Sequence, residues 1–103
     1  MTEYEAGDVN VVTESDDQES NVEKAVYSAR VLSYLASSMA EEADAVNVAI
    51  SDSNRGVKLS LTVGPNDMGR IIGRRGRTAQ AIRTIVAAAG TRDGIVTNVD
   101  IVD

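Results

Sequence analysis

The chain has 103 residues, of which 43% are hydrophobic and 25% are charged, which is enough for one small domain with a modest core. It contains no cysteine and no histidine, which excludes disulfides, thiol nucleophiles, histidine general bases and Cys/His zinc sites. No apolar run reaches the roughly 20 residues of a membrane span, and there is no signal-peptide pattern, so we expect a soluble cytoplasmic protein.

The net charge of −6 is an average over two dissimilar parts of the chain. Residues 1–23 contain eight acidic residues and no basic residue, a net charge of −8. Residues 55–92 contain eight basic residues and one acidic residue, a net charge of +7. Because the field that a ligand meets is local, the second segment predicts a positive binding surface on an acidic protein.

An acidic extension and a helix are predicted first along the chain. Residues 1–19 are polar and acidic, which predicts a disordered extension, with the folded domain over 20–103. Ser20 and Glu23 have the spacing of a capping box, and the apolar residues that follow recur every three or four positions. They predict an amphipathic helix over about 21–40. The extension has two interpretations: it competes with the ligand of the basic surface, or it serves as a solubility or docking tail.

A hairpin, two helices and a last strand are predicted next. Period-two alternation over 45–51 and 57–63, with turn-forming residues between, predicts a β-hairpin. A proline-led short helix is predicted before Gly73, and a second helix is predicted from Gly76 to a C-cap at Gly90. Residues from Ile95 onward alternate again as a final strand. The order α-β-β-α-α-β predicts an α+β fold, a three-stranded sheet with the helices packed on one face.

The helix predicted before Gly73 and the helix predicted after Gly76 are joined by a loop that combines glycine and arginine. Its sequence is Gly73-Arg74-Arg75-Gly76, with Arg70 before it and Arg77 after it. Glycine lets a backbone approach a ligand closely, and arginine offers a planar fork of donors that fits phosphate oxygens. The loop therefore predicts a grip on a polynucleotide backbone.

The same residues carry a resemblance to a known family. Ile71-Ile72-Gly73-Arg74-Arg75-Gly76 resembles the central motif of the KH domain, and the element order is similar to that of type II KH domains. Residues 67–86 resemble the bacterial single-KH RNA-binding proteins of the KhpA type. The likeness covers about 21–103 in element order and does not include the acidic extension.

The resemblance implies that the loop clamps about four nucleotides of single-stranded RNA, with the bases in an aliphatic groove beside it. Ile72 is expected in the groove wall, with Ile71 or Val63 as further candidates. A homodimer or a pair with a second KH-containing protein is implied, as is a role as an RNA chaperone or post-transcriptional regulator. The predicted RNA-binding residues are Gly73, Arg74, Arg75, Gly76, Arg70, Ile72, Arg77 and Arg83.

Other interpretations of the loop fit its residues less well. A plain inter-helix turn does not require four arginines within eight residues. Phosphate-loop motifs ending at Gly76 need glycine where Ile71 stands, and the Walker motif also needs lysine in place of Arg77. No catalytic constellation is recognisable, so we predict no enzyme, no cofactor and no metal. The rival function is a protein-interaction module for which RNA binding is secondary.

Overall fold

The structure, a computed structural model, describes residues 11–13 and 19–102. Of the extension predicted to be disordered, residues 1–10 and 14–18 lie outside these ranges, whereas Val11–Thr13 form a strand. None of the helices within the described ranges is long and apolar enough to cross a membrane. The elements, in chain order, are β1 (Val11–Thr13), α1 (Glu19–Met39), β2 (Asn47–Asp52), β3 (Val57–Thr62), α2 (Met68–Ile72), α3 (Arg77–Arg92) and β4 (Thr97–Val102).

The strands form one mixed sheet in the order β1-β2-β3-β4. β2 and β3 are antiparallel, with Val48 opposite Leu61, and β3 and β4 are parallel, with Leu59 opposite Val99. The predicted α+β fold with its α-β-β-α-α-β order is confirmed. The three predicted strands are joined by β1, which lies parallel to β2 with Val11 opposite Val48.

The core lies between the helices and one face of the sheet. Alternation in β2 and β3 turns one set of side chains inward, while the residues between them are exposed, such as Lys58, or half-buried, such as Ala49. Each buried Val, Ile or Leu contributes about 1.5–3 kcal/mol relative to an exposed position. The fully buried members from the sheet and α1 are Val48, Ile50, Val57, Leu59, Leu61, Ala25, Ala29, Leu32 and Ala36.

The end of α3 differs from its prediction. The helix continues past Gly90 to Arg92, and Gly94, with φ +73°, is the residue in the left-handed conformation beyond it. A Cβ on Gly90 would lie 2.8 Å from the carbonyl oxygen of Ile95. Gly90 is therefore required by close packing inside the helix, and its predicted role as a C-cap is wrong.

Candidate nucleic-acid interface

The loop between α2 and α3 reverses the chain through positive φ angles. Gly73 has φ 75° and ψ 175°, Arg75 has φ 57° and ψ 25°, and Gly76 has φ 73° and ψ 14°. The Gly76 N–H donates to the carbonyl oxygen of Gly73 at 3.2 Å. Because two consecutive residues, Arg75 and Gly76, adopt left-handed conformations, the turn is tight. Arg74 and Arg75 are consequently exposed at its tip.

The two glycines of the loop are required for different reasons. A Cβ on Gly73 would lie 2.6 Å from the Cβ of Thr78, so this glycine lets the loop pack against the first turn of α3. A Cβ on Gly76 would meet nothing within 4 Å. Gly76 is favoured by its positive φ alone, and its position leaves open backbone on the loop surface.

Three cations surround this open backbone. The side chains of Arg74, Arg75 and Arg77 are exposed. Within 11–13 and 19–102, their guanidinium groups have no hydrogen-bond or ion-pair partner. Their donors are therefore available to an external anion.

Arg70, a predicted RNA contact, takes part in an intramolecular network. Its Nε donates to Asp67 Oδ1 at 3.2 Å, and its Nη2 lies 3.2 Å from Glu41 Oε2. The Asp67 carboxylate is fully buried and accepts the backbone N–H groups of Glu41 and Glu42, both at 2.9 Å. We call these four residues the Asp67 clamp, which ties the end of α1 to the start of α2.

The Asp67 clamp also sets the charge state of its carboxyl group. Hydrogen bonds from the Glu41 and Glu42 backbone N–H groups hold the pKa of Asp67 below its usual 3.8, opposed by burial and assisted by the Arg70 guanidinium. The spacing of Asp67 and Arg70, three residues apart on one helical turn, was the only signal of this pair in the sequence. The two backbone donors lie 25 and 26 residues away and leave no sequence signal.

The aliphatic candidates for a groove wall divide between core and surface. Ile71 is fully buried and Val63 is 7% exposed, and both belong to the hydrophobic core. Ile72, which directly precedes Gly73, is half-buried, so part of its side chain is accessible beside the loop. The structure thus places Ile72 next to the loop arginines and Ile71 in the core, while Val63 also lines a cavity of about 420 Å³ with Thr62, Pro65 and Met68.

Arg83 lies in a groove between α3 and β4. Its Nε donates to the carbonyl oxygen of Val99 at 3.3 Å, which fastens the side chain along the groove. The cavity there measures about 300 Å³. Gln80, the first lining residue along the chain, lies about one helical turn after Gly76, so the groove extends away from the loop. Five of its seven lining residues are polar, namely Gln80, Arg83, Thr84, Thr97 and Asn98, and the other two are Ala87 and Val99.

No group of three or more acidic residues within the described ranges could hold a metal ion. The residues brought together at the loop are donors of hydrogen bonds and positive charge, beside open backbone and a polar groove. Such an arrangement is suited to binding a phosphodiester backbone with bases alongside it.

Comparison with known proteins finds related sequences that span this site. The profile of the family described as KhpA/KhpB, KH domain, matches residues 29–101. The chain is 43% identical over 75 residues to RNA-binding protein KhpA of Leifsonia xyli subsp. xyli, which covers 73% of this chain and 96% of that protein. It is 44% identical over 72 residues to RNA-binding protein KhpA of Streptomyces coelicolor, with 70% and 87% covered.

A third relative, RNA-binding protein KhpA of Halalkalibacterium halodurans, is 36% identical over 73 residues, with 71% of this chain and 96% of that protein covered. The family profile includes the loop, both helices around it and nearly all of β4. The resemblance that was drawn from Ile71–Gly76 is confirmed. The chain belongs to the KhpA/KhpB family of KH domains.

Proposed function

We propose that this chain is a non-catalytic RNA-binding protein that holds short single-stranded RNA through the Gly73–Gly76 loop. The observation that carries the proposal is the exposure of the guanidinium groups of Arg74, Arg75 and Arg77, which have no partner among the described residues. They surround backbone that is open at Gly76. Three relatives that bear the name RNA-binding protein support RNA as the ligand.

The arginines of this surface have unequal roles in the proposal. Arg74, Arg75 and Arg77 supply the phosphate contacts, since nothing within the described chain competes for them. Arg83 lies along the α3–β4 groove, bonded to Val99, where it faces the bases. Arg70 is engaged by Asp67 and Glu41 and contributes its charge at the margin of the site.

The experiment is fluorescence anisotropy with a labelled single-stranded RNA, the DNA of the same sequence, and an RNA duplex, across a salt series. Each phosphate contact to a single strand contributes a slope of about −0.7 in log affinity against log salt. Three contacts give about −2, or roughly a twentyfold loss of affinity between 50 and 200 mM salt. No binding to single strands, or binding that salt leaves unchanged, would refute the proposal.

We also propose a cellular role for this RNA binding. Phosphate contacts position a strand and carry no sequence information, and a loop of four residues contacts few nucleotides. Weak, sequence-tolerant binding of this kind suits a cytoplasmic RNA chaperone or post-transcriptional regulator. Useful affinity then requires that a second protein loop binds the same RNA, because linking two binding sites raises the effective concentration of the second site.

An exposed apolar helix face supports self-association as the source of that second loop. Tyr34 is 69% exposed, Tyr27 42% and Ile85 48%, on the neighbouring helices α1 and α3. The guanidinium of Arg92 lies 3.9 Å from the ring centroid of Tyr27. We call Tyr27, Tyr34 and Ile85 the apolar helix face. A homodimer would cover this surface and join two RNA-binding loops.

Introducing a charge at Ile85 tests the homodimer. We expect the wild type to sediment as a dimer and Ile85→Glu to sediment as a folded monomer, since burying an unpaired carboxylate in an apolar contact is costly. Val96→Glu, at another exposed apolar residue, is the matched control and should remain dimeric. A wild type that stays monomeric at a protein concentration on the order of 100 µM would favour pairing with a different KH-containing protein.

A further inference from the structure

The RNA-binding loop lies at one end of the sheet, which we call the loop end. β1 and β2 begin at this end and β3 and β4 finish there, because β1 is parallel to β2, β2 is antiparallel to β3, and β3 is parallel to β4. α3 runs back along β4, since a Cβ on Gly90 would lie 2.9 Å from Thr97 Cγ2 at the start of the strand, and Arg83 bonds to Val99 further along it. The first turn of α3, which follows the loop, is therefore beside the last residues of β4.

Val11, the first residue of β1, is at the loop end as well. It is opposite Val48 in β2, which is opposite Leu61 in β3, which in turn is opposite Ile101 in β4. Since neighbouring strands are about 4.8 Å apart, this row places Val11 about 14 Å from Ile101. Residues 1–10 are therefore attached to the sheet at the loop end. A chain of ten residues spans up to about 33 Å when extended, which is enough to reach the loop.

β1 divides the acidic extension into two parts of equal charge that adjoin opposite ends of the sheet. Residues 14–18 follow Thr13 and lead into α1, and Asn21 near the start of α1 lines a cavity with residues 52–56 of the hairpin turn. This second part therefore adjoins the hairpin end. Neither part contains Lys or Arg, and the acidic residues are Glu3, Glu5 and Asp8 in the first part and Glu14, Asp16 and Asp17 in the second.

The first part adjoins the cations of the loop. Arg74, Arg75 and Arg77 are exposed and have no partner among the described residues, so three positive charges lie within reach of three negative ones. The second part is remote from them, because β2 has six residues and is roughly 20 Å long. That length exceeds the Debye length of about 10 Å at 0.1 M salt. Acidic residues at the hairpin end are thus screened from the loop.

We propose that residues 1–10 bind back onto the Gly73–Gly76 loop and compete with RNA for Arg74, Arg75 and Arg77. The inference rests on the proposed function and adds a regulation of the same site. Attachment at Val11 gives the carboxylates an effective concentration on the order of millimolar at the loop, so weak charge pairs compete with a ligand held by phosphate contacts. The family profile begins at residue 29, so the competing segment lies outside it.

The test is a pair of charge-matched triple variants in the full chain. The first is Glu3→Gln with Glu5→Gln and Asp8→Asn, and the second is Glu14→Gln with Asp16→Asn and Asp17→Asn. In fluorescence anisotropy at about 50 mM salt, we expect the first variant to bind labelled single-stranded RNA about fivefold more tightly than the wild type, given the strength of exposed ion pairs. The second variant should change the affinity by less than about 1.5-fold. At about 300 mM salt the gain of the first variant should fall below about twofold, because salt screens exposed charges.

Backbone amide NMR signals of the loop, recorded without RNA, give a second measurement that does not depend on RNA binding. At low salt the signals of Arg74–Arg77 should shift in the first variant and keep their wild-type positions in the second. Equal RNA affinities of the wild type and the first variant, or equal gains in both variants, would refute the competition while the proposed function stands. Loop signals that do not shift in the first variant would also refute it. A protein that binds no RNA in any of the three forms would remove the proposed function and the competition together.

Discussion

Reversing the charge of the two arginines at the loop tip, Arg74→Asp with Arg75→Asp, is expected to lower RNA affinity by at least about a hundredfold at 100 mM salt. The double variant exchanges two donors of charge-assisted hydrogen bonds for two groups that repel phosphate, and each exchange costs on the order of 1.5–3 kcal/mol. The salt dependence should become shallower, because fewer counterions are released on binding. Anisotropy across a salt series measures both quantities.

The fold should survive this double substitution. Both side chains are exposed and have no partner among the described residues, and aspartate is one of the residues that tolerate the φ of 57° at Arg75. We therefore expect a Tm within a few degrees of the wild type. A large loss of Tm would make the binding result uninformative about phosphate contacts, and Arg74→Gln with Arg75→Asn would then replace it.

A matched control separates the loop from the total charge. Arg55→Asp with Lys58→Glu changes the net charge by the same amount at the β2–β3 hairpin, where both residues are exposed. We expect less than a threefold change in affinity, since surface charges beyond about 10 Å are largely screened at this salt concentration. Equal losses in the two double variants would contradict the assignment of phosphate binding to the loop.

Removing the buried carboxylate, Asp67→Ala, is expected to cause the largest loss of stability among single substitutions at this site. It leaves the backbone N–H groups of Glu41 and Glu42 without their acceptor. A buried donor left unpaired typically costs about 1–3 kcal/mol, so two of them should lower the Tm by about 10 °C or more. Thermal unfolding followed by circular dichroism measures the change.

Asp100→Ala, at an exposed residue of β4, is the control and should shift the Tm by less than about 3 °C. An Asp67→Ala protein as stable as this control would show that water replaces the carboxylate without cost. Because the Asp67 clamp precedes the loop by only a few residues, the variant should also bind RNA more weakly at temperatures where it remains folded.

The clamp has a defined dependence on pH. Since the pKa of Asp67 lies below 3.8 in the folded state, the folded protein binds this proton less readily than the unfolded chain. Its contribution to stability is therefore complete above the unfolded pKa and is lost as the pH falls through the folded pKa. The difference in Tm between wild type and Asp67→Asn should be constant from pH 7 to about 5 and should narrow below about 4.

Local patterns predicted most of the fold. The helix predicted over 21–40 is α1, Glu19–Met39, and the hairpin predicted over 45–63 is β2 and β3. These elements follow the 3.6 and 2.0 periods of buried residues, which depend only on near neighbours in sequence. The final strand begins at Thr97 rather than Ile95, because Ile95 is buried and its N–H bonds back to Gly90.

What the sequence did not predict depends on contacts between distant residues. β1 pairs with a strand more than 30 residues away, and the short run Val11–Thr13 has no periodicity to reveal it. The buried role of Asp67 could not be foreseen, since its two backbone partners lie 25 and 26 residues away. Ile71 and Ile72 are adjacent, and only the direction of α2 decides that the first is buried and the second half-exposed.

The parallel pairing of β1 with β2 bears on aggregation. An unpaired strand offers a row of free N–H and C=O groups, to which another chain adds readily. β2 would be such an edge over Asn47–Asp52, and β1 occupies half of it by pairing with Val48, Ala49 and Ile50. Among the described strands, β1 and β4 are the two edges of the sheet; β1 is only three residues long, and the outward residues of β4 include the charged Asp100. Sheet extension between molecules is thereby limited by a very short edge strand on one side and opposed by charge on the other.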